Sequence, residues 1–250
     1  MSARAYREPL ALPLTAPYLS RNMTPDNPIY AAAVWIIPLI IAIVFHEVAH
    51  GLMARALGDP TAADLNRLSF NPLRHVDPVG TVILPLGLAL AKAPVFGWAK
   101  PVPVDGTRLR NPRWGMVAVA LAGPGMNFAL AAVAAVAIGL VSGQLDGPPE
   151  GMAEFLLLNL FNFLLINIFL AVFNLLPLPP FDGGHVVQGL LPRRLAVEWS
   201  KLARFGFPLI IILLVVVPMI WPGASIVAKL VGPPAEWLVQ QYLAFSQMFA

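Results

Sequence analysis

The stretch PIYAAAVWIIPLIIAIVFHEVAHGLMARALG, Pro28 to Gly58, decides the fold. Residues 29–45 carry no charge, and a helix of about 20 apolar residues spans a bilayer. At the end of that run three ionisable side chains fall within five residues: His46, Glu47 and His50. Ionisable groups inside a membrane helix are costly and mark function by default. Positions i and i+4 share a helix face, so both imidazoles can reach one metal. Glu47, beside them, can take a proton from water activated by that metal. With four His and six Glu in 250 residues, chance rarely produces HExxH.

The rest of the composition agrees. Hydrophobic residues make up 58% and charged residues 12% of the chain, against about 45–50% and about 25% in soluble domains. That excludes an ordinary cytosolic enzyme, a disordered protein and a coiled coil, and it leaves a polytopic membrane protein. The chain has no Cys, so disulfides, thiolate zinc sites and iron–sulfur clusters are excluded. The net charge of +3 reads as positive-inside loops, not as a nucleic-acid footprint.

Further apolar runs follow. Gly80–Ala91, interrupted by Pro85 and Gly87, is too short to cross and reads as re-entrant. Trp114–Val141 is rich in Ala and Gly, which suits close helix packing. Phe155–Leu176 and Leu202–Trp221 follow, the latter with Pro208 and Pro218 as kinks. Ala224–Phe249 is broken by GPP at 232–234 and reads as an interfacial helix or an additional span. The expected fold is an all-α polytopic helical bundle with a short re-entrant segment and a small β-hairpin or extended loop. Its parts are a polar tail (1–28), a membrane core (29–222) and the C-terminal segment (223–250).

Residues 55–113 hold eight Lys/Arg and residues 193–204 four more, whereas the loop SGQLDGPPEGMA has none. By the positive-inside rule the two basic regions are cytoplasmic and the loop external; Arg4, Arg7 and Arg21 in the tail run against this.

Two His are short of the three protein ligands usual at a catalytic zinc. His75, in NPLRHVDP, suits a surface or structural role. Asp182, in NLLPLPPFDGGH (Asn174–His185), follows prolines that end a helix, and irregular backbone at membrane depth must be buried or line a cavity. A helix N-cap is the simpler role for Asp182, and His185 competes as ligand. Asn159, Asn162, Asn167 and Asn174 share one helical face within about 140°; the first three read as interhelical glue. Gly123, Gly125 and Asn127 read as a packing notch.

HEVAHG and NLLPLPPFDGGH together closely resemble the site-2 protease family of intramembrane zinc metalloproteases. GWAKPVPV (Gly97–Val104) and AGPGMN (Ala122–Asn127) also look like its compact bacterial branch, and the resemblance runs from about Trp35 to about Pro192. It implies a zinc endopeptidase that cleaves transmembrane segments of substrate proteins near the cytoplasmic face of a bacterial membrane. It implies one Zn2+ per chain held by His46, His50 and Asp182, with Glu47 as catalytic base. Asn174 would hold the scissile carbonyl or its oxyanion. No residue block is large enough for the PDZ or CBS domains that many relatives carry. The rival reading is a transporter or channel with a regulatory zinc site, which leaves the Glu of HExxH unexplained.

The segment Gly97–Val104 reads as extended, because Pro101 and Pro103 forbid regular helix. Both prolines remove donors from one edge, while Val102 and Val104 keep theirs on the other. An unwound substrate could add there as a strand, unless that edge is already paired within the protein.

Overall fold

The computed structural model describes residues 28–90, 97–206, 208, 212, 216–220 and 226–250. Three long helices carry it: α1 (Pro28–Ala56), α2 (Pro112–Ser142) and α3 (Met152–Asn174). Each is long and apolar enough to cross a membrane. Three shorter elements follow: α4 (Asp182–Leu190), α5 (Arg193–Leu202) and α6 (Ile226–Ser246).

The side-chain contacts fix the direction of each helix. Asn127 of α2 meets Ala42 of α1, and Arg110, just before α2, bonds Leu57, just after α1. The two helices are therefore antiparallel. Asn127 also meets Asn167 of α3, and α2 and α3 share the cluster Ala131, Ala135, Ile138, Phe161, Leu164 and Ile168. Asn162 of α3 donates to the Val34 carbonyl of α1 at 2.8 Å, the interhelical role expected for it. The end of α1, the start of α2 and the end of α3 thus lie at one end of the bundle.

Helix α2 is the central element, and its sequence shows why. Gly115, Val119, Gly123, Asn127, Ala131, Ala135 and Gly139 recur every four residues, and all are buried. Residues four apart lie on one face, and small residues let neighbouring backbones approach closely. The outer surface is apolar instead: Ile36, Ile37, Ile40, Ile41, Leu121, Val133, Leu140, Leu156 and Phe169 are exposed. The buried polar residues include Asn127, Asn162 and Asn167. A continuous apolar exterior over a polar interior is the arrangement a lipid solvent selects.

Three expectations need correction or narrowing. Among the described residues there is no strand, so no β-hairpin is seen. The segment after Asp77 is helical, with a π-turn at Pro78–Ile83 leading into an α-helix at Leu84–Leu90; at about 20 Å it is shorter than the roughly 30 Å hydrocarbon core. GPP at 232–234 does not break the C-terminal segment, since α6 runs through Pro233 and Pro234. The carbonyls deprived of donors there belong to Lys229 and Leu230, both exposed residues. Val231 and Ala235 are buried, and Tyr242 donates to the Phe128 carbonyl at 3.2 Å, so α6 packs on the bundle. The tail up to residue 27 and, within Leu202–Trp221, residues 207, 209–211, 213–215 and 221 lie outside the described residues.

Asp59 ties the end of α1 to the chain that returns toward α2. It is fully buried. One carboxylate oxygen accepts from the Thr61 amide and hydroxyl, and the other accepts from the Asp105 amide at 2.7 Å. Burial alone would raise its pKa. The bonds from Thr61 and Asp105, helped by the charge of Arg108, outweigh burial and hold the carboxyl below its usual range. A folded-state pKa below the unfolded one adds stability above the unfolded value and loses it as pH falls through the folded value. Asp59→Ala should lower unfolding free energy at pH 7 by about 1–3 kcal/mol. Thermal unfolding in detergent should show the gap between variant and wild type narrowing below about pH 4; a gap constant down to pH 2.5 would contradict the assignment.

Candidate active site

HEVAHG lies on α1 about 15 Å before its C-terminal end. The i, i+4 spacing turns His46 and His50 inward toward α2. His46 is buried, and Glu47, His50 and Asp182 are half-buried, so the cluster is open on one side. His50 Nδ1 lies 2.7 Å from the Val119 carbonyl oxygen. A carbonyl can only accept, so Nδ1 carries the hydrogen and Nε2 presents a lone pair. His46 Nδ1 lies 2.6 Å from Asn127 Oδ1.

Asp182 arrives from α4, by a turn that the sequence builds tightly. The prolines of LPLPP keep Leu175–Phe181 out of a long helix, and the Phe181 amide bonds the Leu178 carbonyl. Gly183 and Gly184 then lie directly against the Leu175, Leu176 and Leu178 carbonyls, where any Cβ would collide. Arg113, at the start of α2, reaches the other end of α4 and donates to the Gly189 carbonyl at 2.6 Å and the Leu191 carbonyl at 3.0 Å. Trp199 of α5 donates to the Gly184 carbonyl. Asp182 is thereby aimed into the bundle. It does not cap its helix, and its Oδ2 is buried without a hydrogen-bond partner.

Three ligand atoms converge. His46 Nε2 and His50 Nε2 are 3.0 Å apart, and Asp182 Oδ2 lies 3.3 Å from one and 3.4 Å from the other. A tetrahedral zinc with bonds of about 2.0–2.1 Å separates its ligand atoms by about 3.3–3.4 Å. The residue types and the spacing both fit that ion. Gly123 of α2 makes the room, since a Cβ there would run into His50 Nε2 and His46 Cε1. His185 is exposed and outside this group. His75 is buried, with Nε2 2.7 Å from the Ser69 carbonyl, in keeping with a structural role.

Glu47 Oε2 accepts from the Val102 amide at 2.8 Å. This corrects the expectation for residues 97–104. The amides of Trp98, Lys100 and Val102 all face the protein, bonding the Gly80 carbonyl, the His75 carbonyl and Glu47. The edge expected to be free is therefore already used, and the other edge lacks donors at Pro101 and Pro103. Val102 is buried against Gly51, whose missing Cβ lets it approach α1. Val104 packs beside the cluster of Ala54, Leu109 and Val119. Asn174 ends α3 and donates to the Leu170 carbonyl at 2.9 Å; among the described residues no hydrogen bond joins it to the ligand cluster.

The fold and this cluster define a class: a polytopic membrane protein whose two His and one carboxylate could hold a metal ion, with a Glu beside them. Comparison with known proteins places the chain within that class. The profile of Peptidase family M50 matches residues 141–217. The curated protein "Putative zinc metalloprotease YwhC" of Bacillus subtilis (strain 168) is 32% identical over 195 residues, covering 75% of this chain and 84% of its own length. "Putative zinc metalloprotease sll0528" of Synechocystis sp. (strain ATCC 27184 / PCC 6803 / Kazusa) is 36% identical over 81 residues, 32% of this chain and 19% of its own. No solved structure matches the chain significantly. The chain belongs to peptidase family M50, the site-2 proteases, and is a membrane zinc metalloendopeptidase.

Val102→Pro removes the donor that, among the described residues, bonds Glu47, and it changes none of the clustered residues. A hydrogen bond to a charged group is worth about 1.5–3 kcal/mol. The variant should keep its zinc and lose roughly 10- to 100-fold in kcat, measured on a detergent-solubilised transmembrane peptide. Unchanged turnover at full metal content would exclude a part for this bond.

Proposed function

We propose that this protein is an intramembrane endopeptidase acting in regulated intramembrane proteolysis. It hydrolyses transmembrane segments of other membrane proteins near the cytoplasmic face of a bacterial cytoplasmic membrane. In this reading His46, His50 and Asp182 hold one zinc per chain, and Glu47 is the catalytic base. The convergence of the three ligand atoms, with Asp182 Oδ2 otherwise unpartnered, carries the proposal.

Zinc in that position supplies Lewis acidity, acidifying water and polarising a carbonyl oxygen. Glu47 takes the proton of the attacking water and delivers it to the leaving amine. In this reading Asn174 assists by its own chemistry. Its amide nitrogen has two hydrogens; Leu170 takes one, and the second serves a substrate carbonyl or its oxyanion. A helical peptide bond is shielded by its own turn, so substrate must unwind to reach Glu47. The half-buried side of the cluster supports entry of water and substrate there.

The orientation rests on charge. Arg55 in the last turn of α1, Arg67, Arg74, Arg108 and Arg110 between α1 and α2, and Arg113 in the first turn of α2 lie at the end of the bundle that holds the ligand cluster. Positive residues favour the cytoplasmic side. The helix at 78–90 then dips into the membrane from that side without crossing it.

Co-expression with single-span membrane proteins tests the function. Wild type should process a substrate. Glu47→Gln should retain about one zinc per chain and lose at least about 100-fold in cleavage. Asp182→Ala should lose the metal. Retention of zinc and cleavage by Asp182→Ala, with loss of both in His185→Ala, would overturn the ligand set.

Topology has a separate check. A cysteine placed at exposed Gln144, in a chain with no native Cys, should label from outside the cell. Labelling only from the cytoplasm would reverse the orientation.

A further inference from the structure

Asn127 is completely buried at the meeting of α1, α2 and α3. Its Oδ1 lies 2.6 Å from His46 Nδ1. Its Nδ2 lies 2.7 Å from Asn167 Oδ1 and 3.4 Å from the Ala42 carbonyl oxygen. Asn167, also completely buried, places its own Nδ2 2.8 Å from the Phe163 carbonyl oxygen.

The direction of this chain of bonds is dictated from its ends. The Phe163 carbonyl can only accept, so the Asn167 amide nitrogen must face it and Asn167 Oδ1 must face Asn127. The Ala42 carbonyl can only accept as well, so the Asn127 nitrogen faces Ala42 and Asn167. Turning either amide over would set oxygen against oxygen at two fully buried residues. Asn127 Oδ1 is thus left facing His46, and it needs a hydrogen from Nδ1. The imidazole is held as the Nδ1–H tautomer, with the Nε2 lone pair aimed at Asp182 Oδ2 and His50 Nε2.

We infer that Asn127, oriented by Asn167, is the positioning residue that fixes the ring and tautomer of His46 as a zinc ligand. This rests on the ligand set proposed above and extends it by two residues from two other helices. His50 receives the same service from the Val119 carbonyl, which needs no side chain. For His46 the same role falls to the amide side chain of Asn127. Asn127 bonds both Ala42 and His46, one turn apart on α1, so it also sets the axial register of α1 against α2 at the metal.

Partners that orient a ligating His are worth about 10- to 100-fold in metal affinity. In detergent-purified protein, zinc affinity measured by competition with a chromophoric chelator should fall by that factor in Asn127→Leu. Asn127→Asp, which keeps an acceptor opposite Nδ1 but sets its second oxygen against Asn167 Oδ1, should lose less affinity than Asn127→Leu. Asn167→Leu, which frees the Asn127 amide to turn, should fall between them. A role as interhelical glue alone would lower thermal stability in all three and leave the affinity of the folded protein unchanged. Folded Asn127→Leu with wild-type zinc affinity overturns the inference.

If Asn127→Leu does not fold, ring-nitrogen NMR of the zinc-loaded wild type decides. The expected signature for His46 is a protonated Nδ1 and a metal-bound Nε2. The reverse assignment would sink the inference. His46→Ala with wild-type zinc affinity would instead remove His46 from the ligand set, a failure of the underlying reading that the Asn127 variants do not mimic.

Discussion

Two imidazole nitrogens and a carboxylate oxygen, each 3.0–3.4 Å from the next, face one another inside an apolar bundle. Lone pairs so placed repel unless a cation lies between them, and hydrocarbon offers no water to soften the repulsion. The rest of the architecture serves this point. Helix α1 supplies two of the atoms by its i, i+4 geometry, and α4 supplies the third from a separate stretch of chain. Helix α2 touches both, opening space with Gly123 and anchoring α4 with Arg113. The stripe of small residues on α2 is therefore more than a way of packing helices closely. It sets how near α1 can come, and so where the two imidazoles stand.

The sequence alone discloses much of this. HEVAHG names its own chemistry because three costly side chains sit together on an apolar helix. The aspartate after the prolines could be singled out because few other ligands exist. Asn127 was legible only as part of a packing notch. Its partner depends on the register of α2 against α1, which no local pattern encodes. A usable signal did exist, since Asn127 falls on the four-residue repeat that runs through Gly115, Val119 and Gly123. A polar residue on a stripe otherwise made of small and apolar ones must meet a polar group across the interface.

The misreading of residues 97–104 has a similar origin. The alternation of prolines correctly divides the segment into an edge with donors and an edge without. It gives no information on which edge faces the protein. The donors of Trp98, Lys100 and Val102 turn inward because acceptors wait there: two loop carbonyls and one carboxylate. The smooth run through Pro233 and Pro234 shows the same limit. The cost of a missing N–H depends on whether the orphaned carbonyl finds another partner, which the local sequence does not state.

The chemistry of the Val102 contact follows from what a backbone amide is. An amide carries no net charge and cannot titrate, so it fixes the position of the Glu47 carboxylate through one directed hydrogen bond without setting a charge beside it. It is also held by the chain on both sides, with Lys100 bonded to His75 and Asp105 bonded to buried Asp59. The loop braced at Asp59 thus reaches Glu47 through the Val102 N–H, and loosening that brace should weaken the hold on Glu47 before it disturbs the clustered atoms of His46, His50 and Asp182.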